Sequence, residues 1–467
     1  MFFRQYYLGC LSHASYLIGD SASGLAVVVD PQRDVAEYLT DAEANGLTIV
    51  KVLETHFHAD FLSGHLELAA QTGAKIVYGN AAAGRAEFAI ETYGDGEVIP
   101  LSSDPHGLHL EIRETPGHTP ESISIVIYPQ GTDDEPYGVL TGDTLFIGDV
   151  GRPDLLASVG VTAQELGRQL YHSLHERLMT LPDETRVFPA HGAGSACGKN
   201  LSTETMSTIG EQRRTNYALA PMSEDEFVEA VTQGQSVAPL YFSFAANRNR
   251  ERHDLLDAAN LPTLTMSETL AHQRDGAVVI DGREDMAFAA GHLRGSINVG
   301  LGGRFAEYSG EVMAPKTPIV LITPPGQEAE AQLRLARIGF DNVLGALEHP
   351  VDTFVEHPEL IEPLSRLSVE ALEQRMAEIP GLVLIDIRNP GEVELGTIEG
   401  ARTIALPALI NELGGLDPAA PTVVFCAGGY RSAIASSLLR SRGFTDVSDL
   451  LGGYSAWATA HRTEESS

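Results

Sequence analysis

Residues 55–65 read THFHADFLSGH, and the fold turns on how that stretch is entered and left. The run at 49–53 ahead of it is β-branched and apolar, the pattern of a buried strand. His56, His58 and Asp60 therefore sit where a strand ends and turns, a place a ligand can reach. Three imidazoles and a carboxylate within eleven residues need partners once water is excluded. A shared metal ion is the simplest one.

Outward from this stretch, strand-like runs alternate with helical ones: a strand at 26–29, a helix at 34–45, a helix at 63–72 and a strand at 75–78. Leu166, Leu170, Leu174 and Leu178 recur at four-residue steps and predict a helix over 162–179. Later apolar runs deliver His118 in TPGHTPES, Asp143 in TGDTLFIGDVGRPD and His191 in FPAHG. This is α/β, with the chemistry on loops at strand ends. The order of these residues resembles the metallo-β-lactamase fold family, whose motif is His-x-His-x-Asp-His. His56, His58 and Asp60 fit it, and Phe61 stands where the last His would be. The resemblance covers roughly the first half of the chain and implies an αββα sandwich over residues 1–221.

The chain has 467 residues, too long for one hydrophobic core. A formal charge of -33 argues against nucleic acid or an anionic membrane as partner, since both would be repelled. Cys10, Cys197 and Cys426 lie too far apart to form a disulfide framework, and no stretch has the unbroken apolar length of a signal peptide or membrane span. The expectation is a soluble cytoplasmic protein; a homo-oligomer is left open.

From about residue 264 the chain repeats itself. VVIDGREDMAFAAGHLRGSINV (278–299) echoes VLIDIRNPGEVELGTIEGARTI (383–404), with Asp281 and Asp386 105 positions apart, as are Gly295 and Gly400. Two copies of one small domain are expected, at 263–360 and 361–467, with 222–262 a linker or an edge of the first copy. In the second copy the strand at 423–425 delivers Cys426 into a glycine-rich loop, followed by a helix from about Ser432. Backbone N–H groups, the helix start and Arg431 favour a thiolate or persulfide there. The spacing Cys426 to Arg431 resembles the Cys-x-x-x-x-Arg loop of the rhodanese (sulfurtransferase) family. In the first copy Thr323 falls at the cysteine position, and Pro324 and Pro325 remove backbone donors from the would-be cradle. That copy is expected to be catalytically silent.

The metal half is most similar to the persulfide dioxygenases (ETHE-type sulfur dioxygenases). By position this resemblance implies His56, His118 and Asp143 as ligands of a single Fe(II), with His58, Asp60 and His191 around them. In two-metal relatives the His after the motif Asp helps hold the second ion, and Phe61 removes it. Two imidazoles and one carboxylate with open positions suit non-haem Fe(II). The implied reaction oxidises a low-molecular-weight thiol persulfide with O2 to sulfite, and Cys426 would move sulfane sulfur to make thiosulfate or load a carrier thiol, in sulfide detoxification. Arg152 and Arg213 are candidates for substrate binding, and Cys197, six residues after His191, for a sulfur relay. HGAGSACG lacks the Tyr that glutathione-using relatives carry after this His, so glutathione, coenzyme A and other thiols stay open as carriers. Two alternatives remain: a zinc thioester hydrolase of the glyoxalase II type, with His58 and His191 on the metal, and a non-catalytic sulfur-carrier scaffold.

Overall fold

A computed structural model describes residues 1–104, 106–129, 135–155, 160–199, 201–257 and 261–462. Positions 463–467 of the expected last domain and 258–260 of the expected linker lie outside the described residues. The chain forms two compact units, Met1–Gln235 with Phe242–Leu256, and Ser236–Tyr241 with Asp257–Ser467.

The first unit is an αββα sandwich. One sheet holds β1 (Phe2–Leu8), β2 (His13–Asp20), β3 (Leu25–Val29), β4 (Thr48–Leu53), β5 (Lys75–Gly79) and β6 (Glu91–Tyr93), paired in chain order. The pairing is antiparallel as far as β3 and parallel from there on. The other sheet holds β7 (Val98–Pro100), β8 (His109–Glu114), β9 (Ile123–Tyr128), β10 (Gly138–Gly142), β11 (Arg186–Pro189) and β12 (Ser207–Thr208). Side chains alternate across each strand. Tyr16, Ile18, Val27 and Val29 meet Leu110, Ile112, Ile125 and Ile127 between the sheets. Leu17, Ala26, Val28 and Val52 face outward under α1 (Ala36–Ala44) and α2 (His65–Thr72). Both faces of these strands are buried, which is why they read as continuous apolar runs.

The run at 162–179 is not one α-helix. α3 (Ala163–His172) starts with a reciprocal capping box between Thr162 and Glu165 and passes into a π turn at Ser173–Leu178. A leucine every fourth residue drifts around a 3.6-residue helix; the wider i→i+5 turn brings Leu174 and Leu178 back to the core they share with Leu170. After α4 (Ile209–Thr215) comes α5 (Glu224–Thr232), whose Phe227, Val228 and Val231 enter that same core. The stretch 222–262 thus holds two short helices, α5 and α6 (Phe242–Arg248), and α6 with the residues to Leu256 also belongs to the first unit. Its acidic first turn, Glu224, Asp225 and Glu226, gives a short amphipathic helix the composition of a solvated connector.

In the second unit two five-stranded parallel sheets have one topology. Their spatial orders are Thr263–Leu264, Val343–Leu347, Ile319–Ile322, Val278–Asp281, Ile297–Asn298, and Ser365–Leu367, Val447–Leu450, Thr422–Phe425, Val383–Asp386, Arg402–Thr403. The repeated Asp-x-Arg forms the same buried ion pair in each copy, Asp281 with Arg283 and Asp386 with Arg388, both at 2.6 Å. Among the described residues no helix is long and apolar enough to cross a membrane.

Candidate functional sites

Four strand ends of the first unit converge. β4 leads into His56, the turn after β8 carries His118, β10 ends at Gly142 next to Asp143, and β11 leads into His191. His56, His118 and Asp143 offer ligand atoms that all lie within 4.8 Å of one another, as do His58, Asp60 and His191 in a neighbouring group. The sequence-predicted residues are therefore brought together, in two adjoining trios.

Each ring is oriented by a hydrogen bond on its far side. The Thr55 hydroxyl donates to Asp30 Oδ2 at 2.9 Å, so it accepts from His56 Nδ1–H at 3.0 Å. His118 Nδ1–H donates to the Arg152 carbonyl at 2.9 Å, and His191 Nδ1–H to the Ser12 carbonyl at 3.2 Å. All three Nε2 atoms then face Asp143: those of His56 and His118 lie 3.9 and 3.4 Å from Oδ2, and that of His191 lies 3.5 Å from Oδ1. The carboxylate divides its two oxygens between the trios. Nε2 of His56 and His191 and both Asp143 oxygens are buried without a hydrogen-bond partner. Since a desolvated polar atom left alone costs roughly 1–3 kcal/mol, four of them gathered around the Asp143 carboxylate fit a bound cation. Burial, reinforced by His58, His118, His191 and His13, holds the His56 imidazole well below its usual range, in the neutral form a metal takes.

His58 is turned differently. Its Nε2 lies 3.0 Å from Asp30 Oδ1 and 3.4 Å from Glu54 Oε2. Burial opposes its charged form, but Asp30 and then Glu54 outweigh burial and hold His58 well above its usual range. The Phe61 ring stands 4.3 Å from that of His58 and 3.9 Å from that of His13. His13 is a residue the sequence reading missed: fully buried, it is bridged across the strand ends to His191. Only the pairing of the N-terminal strands brings it there, and no local motif marks it.

Cys197 is buried and within 4.8 Å of ligand atoms of Asp143 and His191. Burial and the Asp60 and Asp143 carboxylates push its thiol well above the usual range, so without a cation nearby it is not a ready nucleophile. The Arg152 guanidinium is buried in a two-pronged pair with Asp154 at 2.7 Å, and its backbone carbonyl is what touches the site. Arg213 is held by Asp183 and donates to the Leu181 carbonyl at 3.0 Å. The geometry thus engages Arg213 with the end of the π turn instead of the trios.

In the second unit Cys426 follows the buried strand Thr422–Phe425 and is 2 % exposed. Gly429 N–H donates to its Sγ at 3.1 Å, and the helix Tyr430–Ser441 begins at once, with Gly429 at φ +109°, a conformation open mainly to glycine. Arg431 does not stand free beside the sulfur: Glu392 takes both its terminal nitrogens at 2.8 and 2.6 Å. Pairing of Asp281 with Ile322 and of Asp386 with Phe425 puts Thr323 at the address of Cys426.

Residues 8–191 match the metallo-beta-lactamase superfamily, and residues 265–348 and 368–460 match the rhodanese-like domain. The mitochondrial persulfide dioxygenase ETHE1 of Bos taurus is 31% identical over 239 residues, 50% of this chain and 82% of that protein. A hydroxyacylglutathione hydrolase of Polaromonas sp. is 32% identical over 177 residues, 38% of this chain and 61% of that protein. A crystal structure titled metallo-beta-lactamase from Staphylococcus aureus superposes with a TM-score of 0.66 at 31% identity, covering 74% of this chain and 99% of that one.

Proposed function

From a chain that belongs to the metallo-β-lactamase superfamily as a homologue of persulfide dioxygenase ETHE1, and that carries two rhodanese-like domains, we propose a persulfide dioxygenase joined to a sulfurtransferase. His56, His118 and Asp143 would hold a single Fe(II). Bound there, a ferrous ion supplies an open position for sulfur and the electrons that activate O2. Thr55, backed by Asp30, and the Arg152 carbonyl fix the two imidazoles before substrate arrives. Phe61 sets an apolar ring against those of His58 and His13 where the motif would have a further imidazole, and would disfavour a companion ion. The reading is carried by one observation: the Nε2 atoms of His56 and His118 turned on one oxygen of Asp143.

The overall conversion is R–S–SH, O2 and water to R–SH and sulfurous acid. The sulfane sulfur gives up four electrons, and O2 takes them. At the second centre, the Cys426 thiolate takes the outer sulfur of R–S–SH and R–S⁻ leaves; sulfite then attacks that outer sulfur, the S–S bond breaks, thiosulfate leaves and the Cys426 thiolate is regenerated. Gly429 N–H is placed to stabilise the sulfur anion. Thr323 offers no such sulfur, so the first repeat serves structure. One chain holding both centres raises the local concentration of what they share. The thiol carrier is of low molecular weight, glutathione and coenzyme A being the first to try, and a reducing cytoplasm suits three thiols without a disulfide.

Anaerobic loading followed by metal analysis, oxygen uptake on a thiol persulfide, and sulfite assay test the first half. One iron per chain with oxygen consumed is expected. Zinc bound, no oxygen consumed and thioester cleaved would instead favour the hydrolase reading, which the clustering of His58, Asp60 and His191 supports. For the second half, Cys426→Ser is expected to abolish thiosulfate formation from persulfide and sulfite while oxygen uptake persists.

A further inference from the structure

The motif loop is held by a residue from far down the chain. Directly after α6 comes Asn249, 1 % exposed. Its Nδ2 donates to the carbonyls of His58 and Phe61, both at 2.8 Å, and its Oδ1 accepts from the Ser63 amide at 2.9 Å. A carbonyl only accepts and an amide N–H only donates, so one orientation of the carboxamide satisfies all three. The contacts straddle Asp60. Neighbouring residues stitch the segment down: the Arg250 guanidinium lies 4.7 Å from the Phe57 ring centre, and the Arg250 carbonyl accepts from Glu87 N–H at 2.8 Å. The buried Arg33 donates to the Asp254 carbonyl at 3.0 Å, and Leu256 N–H donates to Glu67 Oε1 at 3.2 Å.

We propose that Asn249 is a positioning residue of the metal centre. By fixing the backbone on both sides of Asp60, its carboxamide sets the directions in which His58 and Asp60 face the cluster and keeps the Phe61 ring against His13 and His58. Through the same turn it steadies His56. The inference rests on the metal-centre reading above. It also makes the segment 242–256, well beyond the superfamily match at 8–191, a working part of the metal domain. A ligand loop locked by backbone hydrogen bonds binds its ion without first having to be ordered.

Asn249→Asp is the sharpest test, because the carboxylate keeps the bond from Ser63 and loses both donated ones. Asn249→Ser, shorter and neutral, carries the test if the first variant does not fold. Full-length proteins are titrated with Co(II) alone against a chelating dye, the visible ligand-field bands are recorded, and unfolding without metal is followed separately. The expected result is Co(II) binding weakened roughly 10- to 100-fold with shifted bands. Binding and bands like wild type, even with a lowered melting temperature, overturn the proposal, since a merely structural residue would behave so. Wild-type protein that takes up no Co(II) would sink the metal-centre reading itself and this inference with it; wild-type binding with unaffected variants sinks the inference alone.

Discussion

Replacing Thr55 by valine keeps the shape of the side chain and removes one hydroxyl that serves two masters. At the Asp30 end the loss is moderate, because that carboxylate keeps the Thr55 amide at 2.7 Å and the His58 ring at 3.0 Å. A hydrogen bond to a charged group contributes about 1.5–3 kcal/mol, and with two partners left the lower figure applies. At the His56 end the choice is worse. Either Nδ1–H is stranded in a buried place, or the proton moves to Nε2 and occupies the lone pair that faces Asp143. Both outcomes weaken metal binding, by about 10- to 100-fold for a lost ligand-orienting group, or about 1.4–2.7 kcal/mol. The assay is an anaerobic Fe(II) competition titration on the full chain, with thermal unfolding of the metal-free protein as control. Unchanged iron affinity in Thr55→Val would refute the claim that this hydroxyl selects the His56 tautomer.

Other expectations follow from the same geometry. Phe61→His should raise bound metal from one ion per chain to two, read by elemental analysis; an unchanged count would show that more than this ring keeps a second ion out. Gly151→Ala puts a methyl 1.9 Å from the Asp143 carbonyl and 3.2 Å from His118 Nδ1; forced backbone movement of this kind costs about 1–3 kcal/mol, so lower melting temperature and lost metal should appear together. Glu392 is buried enough to favour protonation, yet Arg431 overcomes this and lowers its carboxyl below 4.5. Its contribution to stability is therefore present above that value and lost as pH falls through the lowered one. Glu392→Gln should flatten the fall in melting temperature on the acid side, and a profile identical to wild type would count against the pairing.

The parts of the fold that were legible in the sequence are those written in consecutive residues. The apolar run of β4 and the cluster His56, His58, Asp60 are local, and so is the Val-Val-Phe strand that delivers Cys426. The repeat was legible because both copies keep the Asp-x-Arg pair and the glycine 105 positions apart. What escaped lies in tertiary pairing. His13 has no motif and reaches the site only through the register of β2 against the chain at His191. Asn249 sits in a stretch whose charge resembles a solvated connector, and its partners are backbone groups, which leave no mark in side-chain pattern. The period-four leucines pointed correctly to a buried helical face, but not to the change of helical pitch that period requires. Arg213, a candidate for substrate binding by its place in the chain, is engaged by Asp183 and the Leu181 carbonyl, partners that only tertiary packing supplies.

The shared register of Thr323 and Cys426 gives this molecule its own comparison experiment. Two versions of one sheet topology stand in a single polypeptide and under identical solvent, and at the tip of one strand and in the loop that follows it they carry different chemistry. A thiol introduced at Thr323 would have the topologically equivalent buried strand beneath it, Ile319–Ile322 for Thr422–Phe425, but Pro324 and Pro325 in place of the glycine cradle. The ratio of alkylation rates at the two sulfurs would then report how much reactivity comes from the loop and how much from the scaffold, a separation that single-copy sulfurtransferases do not offer.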